Sequence, residues 1–262
     1  MVALRGDLAS PVDVRDGPLR KLHVLVLLSF TAGFVDTAGF ILLFELFTAH
    51  ITGNIVIALA DIVHRGGVGA LTAFLMLPIF AVTVVLLTLL VDTLRLTLRR
   101  WILAILLSLQ TLLLILFFVA AILLDPSATS ASSWQVIVVG GIGVIAMAVQ
   151  NTIAGVLPKH STVMTGNSTN TIIHAVRWIR ARRTRNASQL AKSRGELRTL
   201  WPTMCAFALG GAIAAIGIVT MGYWCLLVPV PTTAAAALRA IGVSLEGSLK
   251  AEEAGVGVTN DN

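Results

Sequence analysis

The sequence predicts an all-α integral membrane protein of about six transmembrane helices, arranged as two inverted three-helix repeats. Each repeat carries a broken or re-entrant Thr-Gly-Asn segment. The first observation behind this is the scarcity and clustering of charge. Only 12% of the 262 residues are charged and 56% are hydrophobic, where soluble chains carry about 25% charged residues. Residues 70–91, 101–124 and 134–157 hold no charge, and 199–238 hold none over 40 positions, room for two short spans back to back. The buried helices of a soluble protein do not produce several uncharged runs of this length.

The second observation is an internal repeat. Thr-Gly-Asn occurs at 52–54 and again at 165–167, 113 positions apart, each time after a long apolar run. The same shift lays the run starting near Leu22 on the run starting near Gln135, and with a one-residue gap it sets Asp36 opposite Gln150. The third observation is where the basic residues fall. If the Thr-Gly-Asn segments do not cross, there are six spans, and 18 of the 19 Lys and Arg lie on the cytoplasmic side with only Arg65 outside. If both segments cross, the count falls to 15 of 19. The positive-inside rule favours six. Three crossings per half is an odd number, so the halves run in opposite directions.

In chain order, residues 1–20 mix Asp, Arg, Gly and Pro without periodicity and read as a flexible cytoplasmic tail. The first membrane repeat covers 21–124. Its first span, from Leu22 to about Phe44, contains Gly33, Asp36 and Gly39 and is not a plain lipid-facing helix. Residues 45–63 hold the first Thr-Gly-Asn. The second span is 70–94, with Pro78 inside. The third, 101–124, has the plainest lipid-facing composition.

The second repeat covers 134–241. Its first span, 134–157, has Gly140, Gly141 and Gly143 for close helix packing. Residues 158–173 hold the second Thr-Gly-Asn. Residues 177–198, with eight Lys or Arg and one Glu, read as a basic cytoplasmic loop. The fifth span, from Leu200 to about Val219, carries Pro202 and the small residues Ala206, Gly210 and Ala214 at every fourth position. Tyr223 and Trp224 suit an interfacial belt. Residues 224–238 form a short sixth span loosened by Pro229 and Pro231, and 242–262 read as a flexible cytoplasmic tail.

Candidate site residues follow from the breaks. Irregular backbone at membrane depth survives only where it is buried in protein or lines a wet cavity. A helix starting at Asn54 or Asn167 would aim its amides and positive dipole end at the site, which suits an anion or a polar acceptor. Thr52, Gly53, Asn54, Thr165, Gly166 and Asn167 are therefore substrate-binding candidates, set against turn and capping chemistry. Asp36 lies mid-span, where an ionised carboxylate costs about 2.5–3.5 kcal/mol, so it needs an interior partner. It is either a proton, cation or ligand site, or a structural acceptor for the backbone of the break. Gln150 and Asn151 are its uncharged counterparts.

His50 and His160 flank the two breaks. A proton relay through Asp36 and His50 is one reading, an interfacial histidine the other. Glu45 and Asp61 read as solvated charges near the outer surface, and His174 goes with the basic stretch. There Arg177, Arg180, Arg182, Arg183 and Arg185 suit anionic lipid headgroups. Aromatic residues are too few in that stretch for nucleic-acid binding. Cys205 and Cys225 lie in apolar runs without metal spacing. No enzyme motif, metal-ligand set or cofactor fingerprint appears.

The segments Gly33-Phe34-Val35-Asp36, His50-Ile51-Thr52-Gly53-Asn54, Val149-Gln150-Asn151 and Val163-Met164-Thr165-Gly166-Asn167 resemble the YoaK-like family of bacterial multi-pass inner-membrane proteins of unknown function. The likeness covers residues 22–240. It implies a polytopic bacterial inner-membrane protein and supplies no activity. The leading expectation is a small secondary transporter or channel, not an enzyme, with a small polar or anionic solute bound between the two breaks. The alternatives are a non-transporting scaffold or sensor using the basic loop, and a membrane-embedded enzyme. Chains of this size often pair in the membrane, and nothing in the sequence decides whether this one forms a homo-oligomer.

Overall fold

The structure, a computed structural model, describes residues 18–64, 69–94, 98, 101–154 and 164–256. Helix α1 (Pro18–Leu42) opens on a proline, whose missing N–H costs nothing in a first turn. It stops at an irregular stretch, 43–50, in which Phe44 and Glu45 take positive φ of 55° and 66°. Helix α2 (Ile51–His64) follows. With 14 residues it is about 21 Å long, short of the roughly 30 Å core of a bilayer. Helices α3 (Ala70–Leu94) and α4 (Ile102–Leu124) are full-length spans. α4 ends where Asp125 turns left-handed and its N–H bonds to the Ala121 carbonyl.

The second half repeats the order. Helix α5 (Trp134–Ala154) precedes a stretch outside the described residues, which includes His160 and the approach to the second Thr-Gly-Asn. Helix α6 (Met164–Arg183) and helix α7 (Ala187–Met221) are joined by three residues. Gly222, at φ 57°, breaks the chain into a 3-10 segment, Gly222–Leu227, and helix α8 (Pro229–Val256) follows. Five helical stretches are long and apolar enough to cross a membrane. The last of them, Ala187–Leu245, contains α7 and the larger part of α8, parted at Gly222.

Three expectations change. Residues 177–198 are not a loop but the end of α6, a tight turn and the start of α7, with Asn186 Oδ1 capping α7 by accepting from the Gln189 N–H at 2.9 Å. Helix formers such as Ala, Gln, Leu, Lys and Arg fill this stretch, and its charge says nothing against a helix. The C-terminal segment from 242 is helical as far as Val256. Pro229 and Pro231 do not loosen a span: they stand in the first turn of α8, where proline is tolerated.

The packing follows the repeat. α1 lies on α7 as α5 lies on α3, α2 on α3 as α6 on α7, and α4 on α5 as α8 on α1; α4 and α8 meet each other. Each partnership has a counterpart when the halves are exchanged. The tightest approach is between α1 and α7. A Cβ on Gly33 would lie 2.0 Å from the Phe207 carbonyl oxygen, and one on Gly210 would lie 2.1 Å from that of Phe30, so only glycine fits at either crossing point. Ala206 and Ala214 flank Gly210 on the same buried face.

α1 and α5 are the most enclosed spans, and α3 is less enclosed than α4, so the second span presents more outward surface than the third. Val82, Val85, Leu86 and Leu89 of α3 are exposed, as are Leu112 and Leu123 of α4 and Ile216 and Val219 of α7. So much outward apolar surface belongs to a membrane protein rather than a soluble one. At the ends of α4 and α7 the Tyr223 hydroxyl donates to Asp125 Oδ1 (2.8 Å) and accepts from the Ser127 N–H (2.9 Å), while Trp224 stays exposed beside Phe118.

Candidate functional site

The first break is built around Asp36. Three residues in a row, Thr48, Ala49 and His50, turn their backbone N–H groups onto Asp36 Oδ1, at 2.9, 2.7 and 3.3 Å. The other oxygen, Oδ2, lies 2.5 Å from His50 Nδ1. Both oxygens of a buried carboxylate are thus engaged, one by backbone and one by imidazole. Of the two readings of Asp36, the acceptor for the broken backbone is the geometry found. The expected helix starts also move. α2 begins at Ile51 and α6 at Met164, three residues before Asn54 and Asn167, and the amides leading into α2 face a carboxylate of the protein itself. The chain therefore supplies an acceptor oxygen of its own at the place where an external anion was expected.

The tripeptide divides its labour. Asn54 is fully buried, and its carboxamide braces the break by accepting from the Phe47 N–H (2.9 Å) and donating to the Phe47 carbonyl (2.8 Å). Gly53 is small because a Cβ there would lie 2.7 Å from the Phe47 ring. Thr52 is exposed. In the second copy the pattern of exposure is the same: Thr165 exposed, Gly166 half-buried, Asn167 buried, in the first turn of α6. The hydrogen bonds of Asn54 and Gly53 run to Phe47 and His50, within their own half.

His50 is neither a solvated nor a simple interfacial histidine. Its side chain is 35% exposed. Its ring meets Phe47 of the same break and Phe207 of α7 edge-on, each at 5.9 Å. The Asp36–His50 pair therefore stands at the seam between the two halves.

The counterpart region in α5 uses amides. Gln150 is fully buried; its Nε2 donates to the Leu28 carbonyl (2.9 Å) and its Oε1 accepts from Gln110 Nε2 (2.6 Å). Gln110, on α4, is equally buried, and the sequence reading missed it. Its signal was a carboxamide in the middle of an otherwise apolar span, which needs a partner. Asn151 is half-buried and bonds back to the Met147 carbonyl at 3.1 Å.

A family model described as "Protein of unknown function (DUF1275)" matches residues 24–239, from early α1 into α8. The chain belongs to this family. No curated protein and no solved structure matches it. The match spans every element of the DUF1275 site just described, and it carries no activity.

Two further features complete the polar map of this DUF1275 chain. Asp61, expected to be solvated, is buried: its Oδ2 accepts from the Gly69 N–H at 2.6 Å and so ties the end of α2 to the start of α3. A cavity of about 150 Å³ opens beside it, lined also by Leu43, Leu46, Thr72 and Ala131. Among the described residues no three His, Cys, Asp or Glu gather as a metal would require. Arg177, Arg180, Arg182, Arg183 and Arg185 are all exposed along the α6–α7 hairpin, with the Arg182 guanidinium 4.8 Å above the Trp178 ring.

Proposed function

We propose that this protein is a small proton-linked secondary transporter or channel of the bacterial inner membrane, with both termini cytoplasmic. It carries a small polar or anionic solute between its two Thr-Gly-Asn segments, which stand in the first turns of α2 and α6. The two halves are taken as inverted repeats of three crossings each. The sequence repeat, the exchange of packing partners between halves and the shortness of α2 support this arrangement. Asp36 and His50 form the proton site. Thr52, Thr165 and the buried polar residues Gln150, Asn151 and Asn167 contribute to the solute path. The YoaK-like resemblance is consistent with the DUF1275 family and adds no activity of its own.

The observation that carries the reading is an ionisable pair at the seam of the halves, with His50 set against Phe207 across it. Ionisable groups inside membrane spans are costly and mark ion or proton pathways more often than they serve packing. In purified protein reconstituted into liposomes under a pH gradient, one member of a panel of small polar and anionic solutes should move protons. Asp36→Asn should abolish that movement and His50→Gln should reduce it. No movement with any solute, together with an unchanged cell phenotype for Asp36→Asn, overturns the proposal. A second reading, a non-transporting scaffold, is favoured by the exposed basic hairpin. Removing residues 180–196 separates the two, because a transporter keeps most of its flux and a scaffold loses its role.

A further inference from the structure

Both helices of the α6–α7 hairpin pass along their length from exposed apolar to exposed basic residues. At 100° per residue, Ile172, Val176, Ile179 and Arg183 fall within about 60° of a single line along α6, rising about 16 Å. All four are exposed, so an outward apolar stripe ends in a guanidinium. Exposed Arg180 lies about 70° round α6 from this line and exposed Arg177 about 130°. On α7 the same passage runs the other way, from exposed Arg198 to exposed Trp201. Thr171 Oγ1 bonds to Met204 Sδ at 3.0 Å. Six residues from that contact, on each helix, Arg177 and Arg198 are level. Trp178 lies at the same height.

Apolar side chains below, tryptophans at the boundary and arginines above are what the change from acyl chain to headgroup selects. We propose that the base of this hairpin is a collar that binds the headgroups of anionic phospholipids. Arg177, Arg180 and Arg198, on different faces of the hairpin, each hold a headgroup phosphate, while Ile172, Val176 and Trp201 lie along the acyl chains. The charge is one-sided, since Glu196 is the sole acidic residue between 177 and 198. Guanidinium groups pair with phosphate oxygens bidentately, which a zwitterionic headgroup partly offsets with its own cation. The more distal Arg185, Lys192 and Arg194 sit towards the tip and take no part.

The test uses the delipidated full-length protein in detergent, titrated with phosphatidylglycerol and with phosphatidylcholine of the same acyl chains, bound lipid being counted by native mass spectrometry. Phosphatidylglycerol should bind about tenfold more tightly or better, given the attraction that each basic residue contributes near an anionic surface. R177Q/R180Q/R198Q should lose that preference, and R185Q/K192Q/R194Q should keep it. In the unmodified protein, brominated phosphatidylglycerol should quench tryptophan fluorescence more than brominated phosphatidylcholine. Equal binding of the two lipids, loss of the preference in the tip variant alone, equal quenching, or displacement of the lipid by glycerol phosphate or by a short oligonucleotide would each overturn the proposal.

Discussion

His50 Nδ1 lies 2.5 Å from Asp36 Oδ2, although the two residues are separated by the end of α1 and the whole irregular stretch that follows it. The backbone of that stretch folds back onto the helix it has just left and is fastened there. Without this fastening, three consecutive amides would lose the oxygen that accepts from them.

Asp36→Ala should therefore destabilise the protein by about 1–3 kcal/mol, because the buried Thr48 amide left without an acceptor costs about that much and the half-buried Ala49 and His50 amides add less. Asp36→Asn retains one acceptor oxygen and should cost less, so it separates stability from proton movement. Thermal unfolding in detergent measures the first and liposome assays the second. Equal stability of Asp36→Ala and the native protein would show that the break is held some other way.

The Thr-Gly-Asn segment should respond unevenly to alanine. Asn54→Ala removes both bonds to Phe47 and should cost about 1–3 kcal/mol. Thr52→Ala touches an exposed side chain and should stay within about 0.5 kcal/mol in stability. Unfolding curves of the two variants side by side check this, and any effect of Thr52→Ala on flux then belongs to the solute path.

Gly33→Ala and Gly210→Ala should push α1 and α7 apart, because each new methyl meets backbone rather than a side chain that can swing away. A loss of about 1–3 kcal/mol or more is expected for each. Gly195, in the exposed first part of α7, has nothing within 4 Å of the same position, and Gly195→Ala should stabilise by about 0.5–1 kcal/mol. The opposite signs can be read from one set of melting curves.

Gln110 and Gln150 form a pair that a double-mutant cycle can resolve. Either single change to Leu strands a buried carboxamide and should cost about 1–3 kcal/mol. The double change should cost less than the sum of the two, since neither partner is then left behind. Strict additivity would mean that the 2.6 Å bond contributes little.

The membrane class was legible in the sequence because it rests on composition. The link between Asp36 and the break was legible as one of two alternatives, since a carboxylate inside a span must find donors nearby. What decides between them is tertiary: the amides of 48–50 become donors only when the chain folds back. Asp61 was misread for the same reason, because its partner, the Gly69 amide, is invisible as a type of residue. The helical hairpin was hidden by its charge. Gln110 drew no notice because one amide barely changes the mean hydropathy of a run.

α7 has 35 residues, about 52 Å of helix, well beyond the roughly 30 Å it needs to cross. It is a beam with a fulcrum. The fulcrum is the point where Gly210 rides on α1; one arm reaches out to the hairpin turn and the other to the Tyr223 clasp on α4. Torque applied to the outer arm, which carries Pro202, is opposed at the inner one. Anything that grips the hairpin thereby has mechanical leverage on the seam where Phe207 touches His50.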